Sequence, residues 1–222
     1  SFSGYVKDLG IARTTKEFKD PIYDNLIHNR LELTVNPTEQ LSFTLEGRNR
    51  FRYGEQVDMF SNRGLNYGRL MNAQNGLIDL SEAWYENDKA VFHSEIDRLF
   101  ARYETGDWRF TLGRQRINWG KNRIWNPNDL FNTYSFFDFD YQKRPGVDAL
   151  RVEYFRNFNA SIELAFNPAE DLEQSTGALY YGFHEGSYDF QVLGGYFRES
   201  LVSGLGWSGY IGGASFKGEV NF

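Results

Sequence analysis

Alternation of apolar and polar residues over long segments is the feature of this sequence that most constrains its fold. In the run 27–35, residues such as Leu31 lie on one side of an extended chain and residues such as Arg30 lie on the other. A second run, 41–53, repeats the pattern. Because side chains alternate between the two faces of a strand, a period of two predicts β-structure. Both runs are long for a globular sheet and match the roughly 9–11 residues of a tilted bilayer crossing.

The same pattern recurs along the chain, and the connections between the runs alternate in length. Further runs cover 98–104, 108–112, 150–154, 160–166, 179–183, 188–196 and 210–222, and a weaker one covers 2–11. Short turns fall near 36–40, 105–107, 156–159 and 185–187, and long connections near 12–24, 54–93, 119–146, 168–176 and 199–207. Transmembrane barrels alternate short periplasmic turns with long extracellular loops in this way.

These runs predict an all-β fold: a transmembrane, antiparallel up-and-down β-barrel of about ten strands, formed as a single domain by residues 1–222. The long connections are then extracellular loops, residues 77–85 form a hairpin arm or loop within one of them, and both termini are periplasmic. A soluble β-sandwich stays open as the alternative, because alternation does not reveal which face lies inside. Aromatic residues make up 18% of the chain and gather beside short turns, which favours the interfacial girdle of a membrane barrel.

Composition excludes several other classes of protein. The sequence has no run of about 18 apolar residues, so we expect no membrane-spanning helix. It has no cysteine, which removes disulfides and thiolate metal sites. A net charge of -6 argues against nucleic-acid binding, which needs a basic face. No leader is found at Ser1, so a secreted protein would be expected here in its mature form.

One stretch carries more motifs than barrel patterning requires. It holds the blocks GRQRINWG, WNPNDLFN and RPGVDALRV between Gly113 and Val152. In these blocks the chain resembles a group of outer-membrane porin-like barrels related to alginate-export channels and to poorly characterised proteins of the Bacteroidetes. The resemblance implies a barrel in the outer membrane of a Gram-negative bacterium. Members of that group look longer, which indicates part of a larger barrel, whereas the aromatic Phe222 at the end indicates a complete one.

Arginines on the polar faces are the candidate lumen and selectivity residues. They are Arg48, Arg50, Arg52, Arg98, Arg102, Arg109, Arg114, Arg116 and Arg151. Arg114 and Arg116 join this face only if Gly113 carries a bulge that shifts the strand register. Two interpretations stay open: a salt-bridge lattice with carboxylates such as Glu153, or an arginine ladder that attracts anionic solutes.

The connection 119–146 is predicted to fold inward or over the barrel mouth as a constriction, since so many large apolar groups are not expected to stay in water. Its candidate residues are Trp119, Trp125, Asn126, Asp129, Phe131 and Phe136. Residues 126–129 have turn chemistry. Arg114 and Arg116 at the root of this loop are candidates to pair with its aspartates. Those aspartates are Asp129, Asp138 and Asp140.

The leading functional hypothesis is an outer-membrane porin or substrate-selective channel for small hydrophilic solutes, with anionic solutes as one class. A non-conducting structural or accessory barrel with envelope protein partners is the second hypothesis, and an outer-membrane hydrolase is the third. The sequence carries no catalytic motif, metal-ligand spacing or phosphate-binding glycine loop, so we expect no enzyme, metal or cofactor. The expected partners are outer-membrane lipid and small solutes, and not nucleic acid.

Overall fold

The chain folds into one antiparallel β-sheet with short helices in its connections. The computed structural model describes residues 1–14, 21–72, 76–122, 126–131 and 146–222. The strands within these ranges are β1 (Phe2–Arg13), β2 (Ile22–Val35), β3 (Leu41–Gly54), β4 (Ser81–Glu86), β5 (Ala90–Thr105), β6 (Trp108–Gln115), β7 (Val147–Phe155), β8 (Ala160–Asn167), β9 (Thr176–Glu185), β10 (Tyr188–Phe197), β11 (Ser200–Ile211) and β12 (Ala214–Asn221). The helices are α1 (Glu55–Ser61), α2 (Tyr67–Met71) and a 3-10 turn (Leu172–Gln174).

The strands follow an up-and-down order, so the predicted all-β, antiparallel up-and-down architecture is confirmed. Each strand pairs with its neighbour in sequence, except that β3 pairs directly with β5. The short β4 lies off this path and pairs only with residues 91–95 of β5. Residues 77–85 are therefore an arm of the connection between β3 and β5 and not a full strand of the meander, as the sequence pattern predicted.

The loop predicted at 199–207 is wrong. In the described part of the chain residues 200–207 belong to β11 and Glu199 lies in the turn before it, so eleven strands lie on the path instead of about ten. The inward positions Gly204 and Gly206 of β11 carry no side chain, which hides the alternation. A Cβ atom on Gly206 would lie 2.7 Å from Gln191 Nε2, so glycine makes room for a packed neighbour.

Apart from the two-residue turn 198–199, which lies at the long-connection end, the short turns lie at one end of the sheet and the long connections at the other. The short-turn end carries 36–40, 106–107, 156–159, 186–187 and 212–213, and the long-connection end carries 14–21, 55–89, 116–146 and 168–175. Ser1 donates to the Thr34 carbonyl (2.7 Å) beside the short-turn end, whereas Phe222 pairs with Ser203 (2.8 Å) towards the other end. The expectation that both termini lie on one side is therefore wrong, because the described path has an odd number of strands.

The exposure of the apolar face and the burial of the charged face are the opposite of what a soluble sandwich shows. The outer face, which carries the apolar side chains of the alternation, is open: Leu112 is 63% exposed and Leu164 is 52% exposed. The inner face carries the charged side chains and is closed off, with Arg48 at 2% and Asp97 at 1%. A soluble sandwich would bury the apolar face instead.

The sheet is open at its edges. Among the described residues no hydrogen-bonded ladder joins β1 to β12; β1 pairs with β2 and β12 pairs with β11. None of the helices in those residues is long and apolar enough to cross a membrane.

The two-residue turn between β10 and β11 allows a test of the extra strand. Arg198 and Glu199 have φ values of 43° and 72°, a region that favours Asn and Gly in hairpin turns. We expect the double variant R198N/E199G to raise the free energy of unfolding by about 1 kcal/mol, because it relieves backbone strain. Urea unfolding measures this effect. Ser203→Gly, in the interior of β11, is the control and should lower stability by roughly 0.5–1 kcal/mol; an irregular loop would show no such contrast.

Candidate functional site

Ion pairs fill the inner face where β2, β3 and β5 lie side by side. The Arg30 guanidinium contacts Glu46 at 2.6 Å and also binds Asp97. Arg48 lies 2.8 Å from Glu95 and 3.3 Å from Asp97. Since Asp97 contacts both arginines, it joins the two pairs into one lattice that crosses three strands.

A second group of ion pairs lies on the inner face and extends from β5 to β8. Arg151 contacts Glu163 at 2.5 Å and Glu153 at 3.1 Å. Arg109 contacts Glu104 at 2.5 Å and reaches Glu153 at 3.5 Å. Glu153 links the two arginines, as Asp97 does in the first group.

Most of the arginines that the sequence singled out thus have carboxylate partners. Those with a carboxylate within 4 Å are Arg48, Arg50, Arg98, Arg109, Arg114 and Arg151. Arg52 donates to the Tyr67 hydroxyl at 2.5 Å, and burial raises the pKa of Tyr67, so its hydroxyl stays protonated at neutral pH. The Arg102 guanidinium lies over the Phe100 ring, with its central carbon 5.2 Å from the ring centroid. This geometry is a salt-bridge lattice, the first of the two interpretations that the sequence left open.

Arg114 does not owe its position to a bulge at Gly113. β6 pairs with both neighbours without a register shift at Gly113; that glycine has a φ of 117° instead. Arg114 then forms a two-pronged contact with its cross-strand neighbour Asp148, at 2.9 Å on each side. Among the described residues the carboxylate partner of Arg114 is therefore Asp148, which lies opposite it in the ladder, and not the expected Asp129. Asp138 and Asp140 lie outside the described residues, and Arg116 follows the end of β6.

The connection after β6 folds onto the inner face. Trp119 and Phe131 are buried and meet edge to face, with centroids 5.0 Å apart. Trp119 also stacks on Tyr180 of β9 at 5.3 Å, and its indole nitrogen donates to Glu163 of β8 at 2.8 Å. We call residues 116–122 and 126–131 together the inward segment.

Small side chains on β7 to β9 make room for the inward segment. Ala149, Ala165 and Ala178 are buried at inner positions and belong to the same apolar cluster as Trp119 and Phe131. Larger residues there would occupy the volume that the two rings fill. The inner face thus has an ion-paired half on β2, β3 and β5, and a second half on β7 to β9 in which an apolar cluster lies beside the second group of ion pairs.

The other loop candidates have mixed outcomes. The Asp129 amide donates to the Asn126 carbonyl at 3.1 Å, which is the turn that the sequence pattern predicted. Trp125 and Phe136 lie outside the described residues. A role of this loop as a constriction stays a prediction.

A helical cap over the ion-paired half was missed by the sequence reasoning. Val57, Tyr67 and Met71 of α1 and α2 pack with Val91 of β5 into a second apolar cluster. The Met71 carbonyl accepts a hydrogen bond from Arg50 at 2.6 Å, so the cap also satisfies a buried charge. The alternation predicts only a loop for the long connection 54–93, although its apolar residues indicate packing.

Three central members of the lattice, Arg30, Glu95 and Asp97, were also not among the candidates. The alternation places Arg30 on the polar face. A register shift in the β3–β5 ladder between Glu46 and Gly47 leaves Asp97 opposite no residue of β3 and turns it inward, which sequence parity alone does not reveal.

No family model matches the chain, and no curated protein matches it. The likeness to porin-like barrels therefore stays a resemblance carried by the motif blocks.

Asp97 provides the test of the lattice. Asp97→Asn keeps the shape but removes the charge shared by Arg30 and Arg48, and leaves two buried cations under-compensated. We expect a loss of roughly 3–5 kcal/mol in the free energy of unfolding. Glu32→Gln is the matched control, because Glu32 also contacts Arg30 but is 28% exposed; its loss should stay below about 1 kcal/mol. Similar losses in urea unfolding would contradict a buried lattice.

Proposed function

We propose that the chain forms the wall of a β-barrel in the outer membrane of a Gram-negative bacterium, and that the barrel passes small hydrophilic solutes. The observation that carries the proposal is the reversed burial: the outer face is apolar and exposed, and the inner face is charged and enclosed. A membrane barrel has this arrangement because lipid surrounds it and polar groups fill its interior.

The outer face supports a lipid environment in two ways. Leucines, isoleucines and phenylalanines recur along it from β2 to β12, and each forgoes roughly 1.5–3 kcal/mol if it is left in water. Aromatic rings gather near the short-turn end. The ring centroids of Trp108 and Tyr154 lie 4.7 Å apart there, and those of Phe183 and Phe190 lie 5.3 Å apart. Such a row is typical of an interfacial girdle.

The proposal requires that the edges β1 and β12 are paired in the membrane. Unpaired backbone groups are not tolerated in hydrocarbon, so a barrel wall must close. Closure takes place either between these two strands or through further strands. The short-turn end would face the periplasm and the long connections the outside.

A solute path is supported by the polar interior and by the inward segment that narrows it. At the short-turn end a recess of about 650 Å³ lies between the turn 36–42 and the inner residues Arg102 and Glu104. A loop that crosses a charged interior limits the size and charge of what passes. A non-conducting structural barrel is the second candidate, favoured by the carboxylates that neutralise most of the inner arginines.

Conductance separates these two functions. We expect the purified protein to form discrete conducting units in planar lipid bilayers. Replacing the anchors of the inward segment, W119A/F131A, should raise single-channel conductance or weaken ion selectivity, because the segment no longer packs on β9. Trp108→Ala on the outer face is the control and should leave conductance unchanged. A correctly folded protein that conducts nothing would favour the structural barrel.

Arginine substitution tests which face meets lipid. Leu45 lies on the outer face and its neighbour Thr44 on the inner face. In lipid bilayers Leu45→Arg should cost roughly 2–4 kcal/mol in folding free energy, whereas Thr44→Arg should cost much less. Equal costs at the two positions would contradict a membrane barrel.

A further inference from the structure

One carboxylate of the last strand binds three backbone amides of the inward segment. Glu219 of β12 accepts hydrogen bonds from the backbone N–H groups of Lys121, Asn122 (2.8 Å) and Asn128 (3.1 Å). One carboxylate oxygen takes the first two and the other oxygen takes the third. Convergent backbone N–H groups form an anion-binding concavity, and bonds to an ionised acceptor are the stronger kind.

Asn128 adds a second attachment at the same place. Its side chain is fully buried. It donates a hydrogen bond to the Leu205 carbonyl of β11 at 2.9 Å and accepts one from the side-chain amide of Asn221 of β12 at 3.2 Å. A Cβ atom on Gly204 would lie 2.3 Å from the Asn128 side-chain oxygen, so the glycine of β11 admits this contact.

These contacts join parts of the sheet that are far apart along the path. The inward segment starts at the end of β6, whereas Glu219 lies on β12, six strands further along. Trp119 holds the segment on β8 and β9, and Glu219 holds it on β12. The sequence reasoning did not single out Glu219, although alternation with Val220 places it on the inner face.

We propose that Glu219 is a positioning residue that latches the inward segment to β12 through a three-amide anion site. The site takes a carboxylate, and a free small carboxylate such as formate occupies it when the Glu219 side chain is removed. The consequence for solute passage rests on the proposed function, since the latch then sets the width that the segment leaves open. The latch itself does not depend on conduction.

Trypsin cleavage after Lys121 in the folded, detergent-solubilised protein tests the latch. In Glu219→Ala the segment loses its acceptor, so local opening becomes more frequent and cleavage should rise about tenfold or more. Glu219→Gln keeps the size but not the charge and should show an intermediate rate. Ser215→Ala, on the same strand, is the matched control and should cleave like the unmodified protein. Unchanged cleavage in both Glu219 variants would overturn the proposal.

Chemical rescue tests the anion site. Sodium formate should slow cleavage of Glu219→Ala towards the unmodified rate, whereas sodium chloride at equal ionic strength should not. Glu219→Gln, whose side chain still fills the site, should not respond to formate. Equal effects of the two salts, or no effect of formate, would overturn the anion site. If Glu219→Ala does not fold, Glu219→Gln supplies the cleavage test, and failure of formate to promote folding of the alanine variant counts against the site.

Bilayer recordings keep the two proposals apart. If the unmodified protein conducts, Glu219→Ala should show larger or more variable conductance than Ser215→Ala. If the unmodified protein is silent, the channel fails, while the cleavage and rescue results still decide the latch.

Discussion

The need to compensate the charges that the sheet turns inward is the constraint on which the rest of this structure depends. The inner face encloses guanidinium and carboxylate groups together, and an unpaired charge there would cost several kcal/mol. Asp97 meets this need for Arg30 and Arg48, and Glu153 meets it for Arg109 and Arg151. Since a buried ion pair adds little net stability, we infer that the lattice mainly determines strand register and the direction in which the sheet faces.

The two halves of the interior are filled by different elements of the chain. The long strands β2, β3 and β5 present charged side chains, and α1 and α2 cover them. The shorter strands β7 to β9 present alanines, and the inward segment fills the space above them with Trp119 and Phe131. Glu163 connects the second group of ion pairs to this apolar cluster, because it accepts from both Arg151 and Trp119.

This division bears on both proposed functions. An interior full of paired charges carries little net field, so selectivity would depend on the width and local polarity of the path more than on an arginine ladder. The position of the inward segment then matters most, and it is held at separate points, by the ring contacts of Trp119 and by the carboxylate of Glu219. The outer face meets a simpler requirement, which in the proposed barrel is to remain apolar where lipid would surround it.

Much of the fold could be predicted from the sequence, because period-two alternation acts within one strand. It predicted the strands on either side of the turn 36–40, the antiparallel order and the charged face that holds Arg48 and Arg151. It failed at β11, where the inward glycines Gly204 and Gly206 erase the alternation.

Only the tertiary structure decided which groups meet. Pairing of Arg114 with Asp148 follows from the register of β6 against β7, and the inward turn of Asp97 follows from a register shift between β3 and β5. The contact of Glu219 with Lys121 joins residues 98 positions apart. Such contacts depend on strand register and sheet curvature. These are properties of several strands together, so the alternation within any one strand does not determine them.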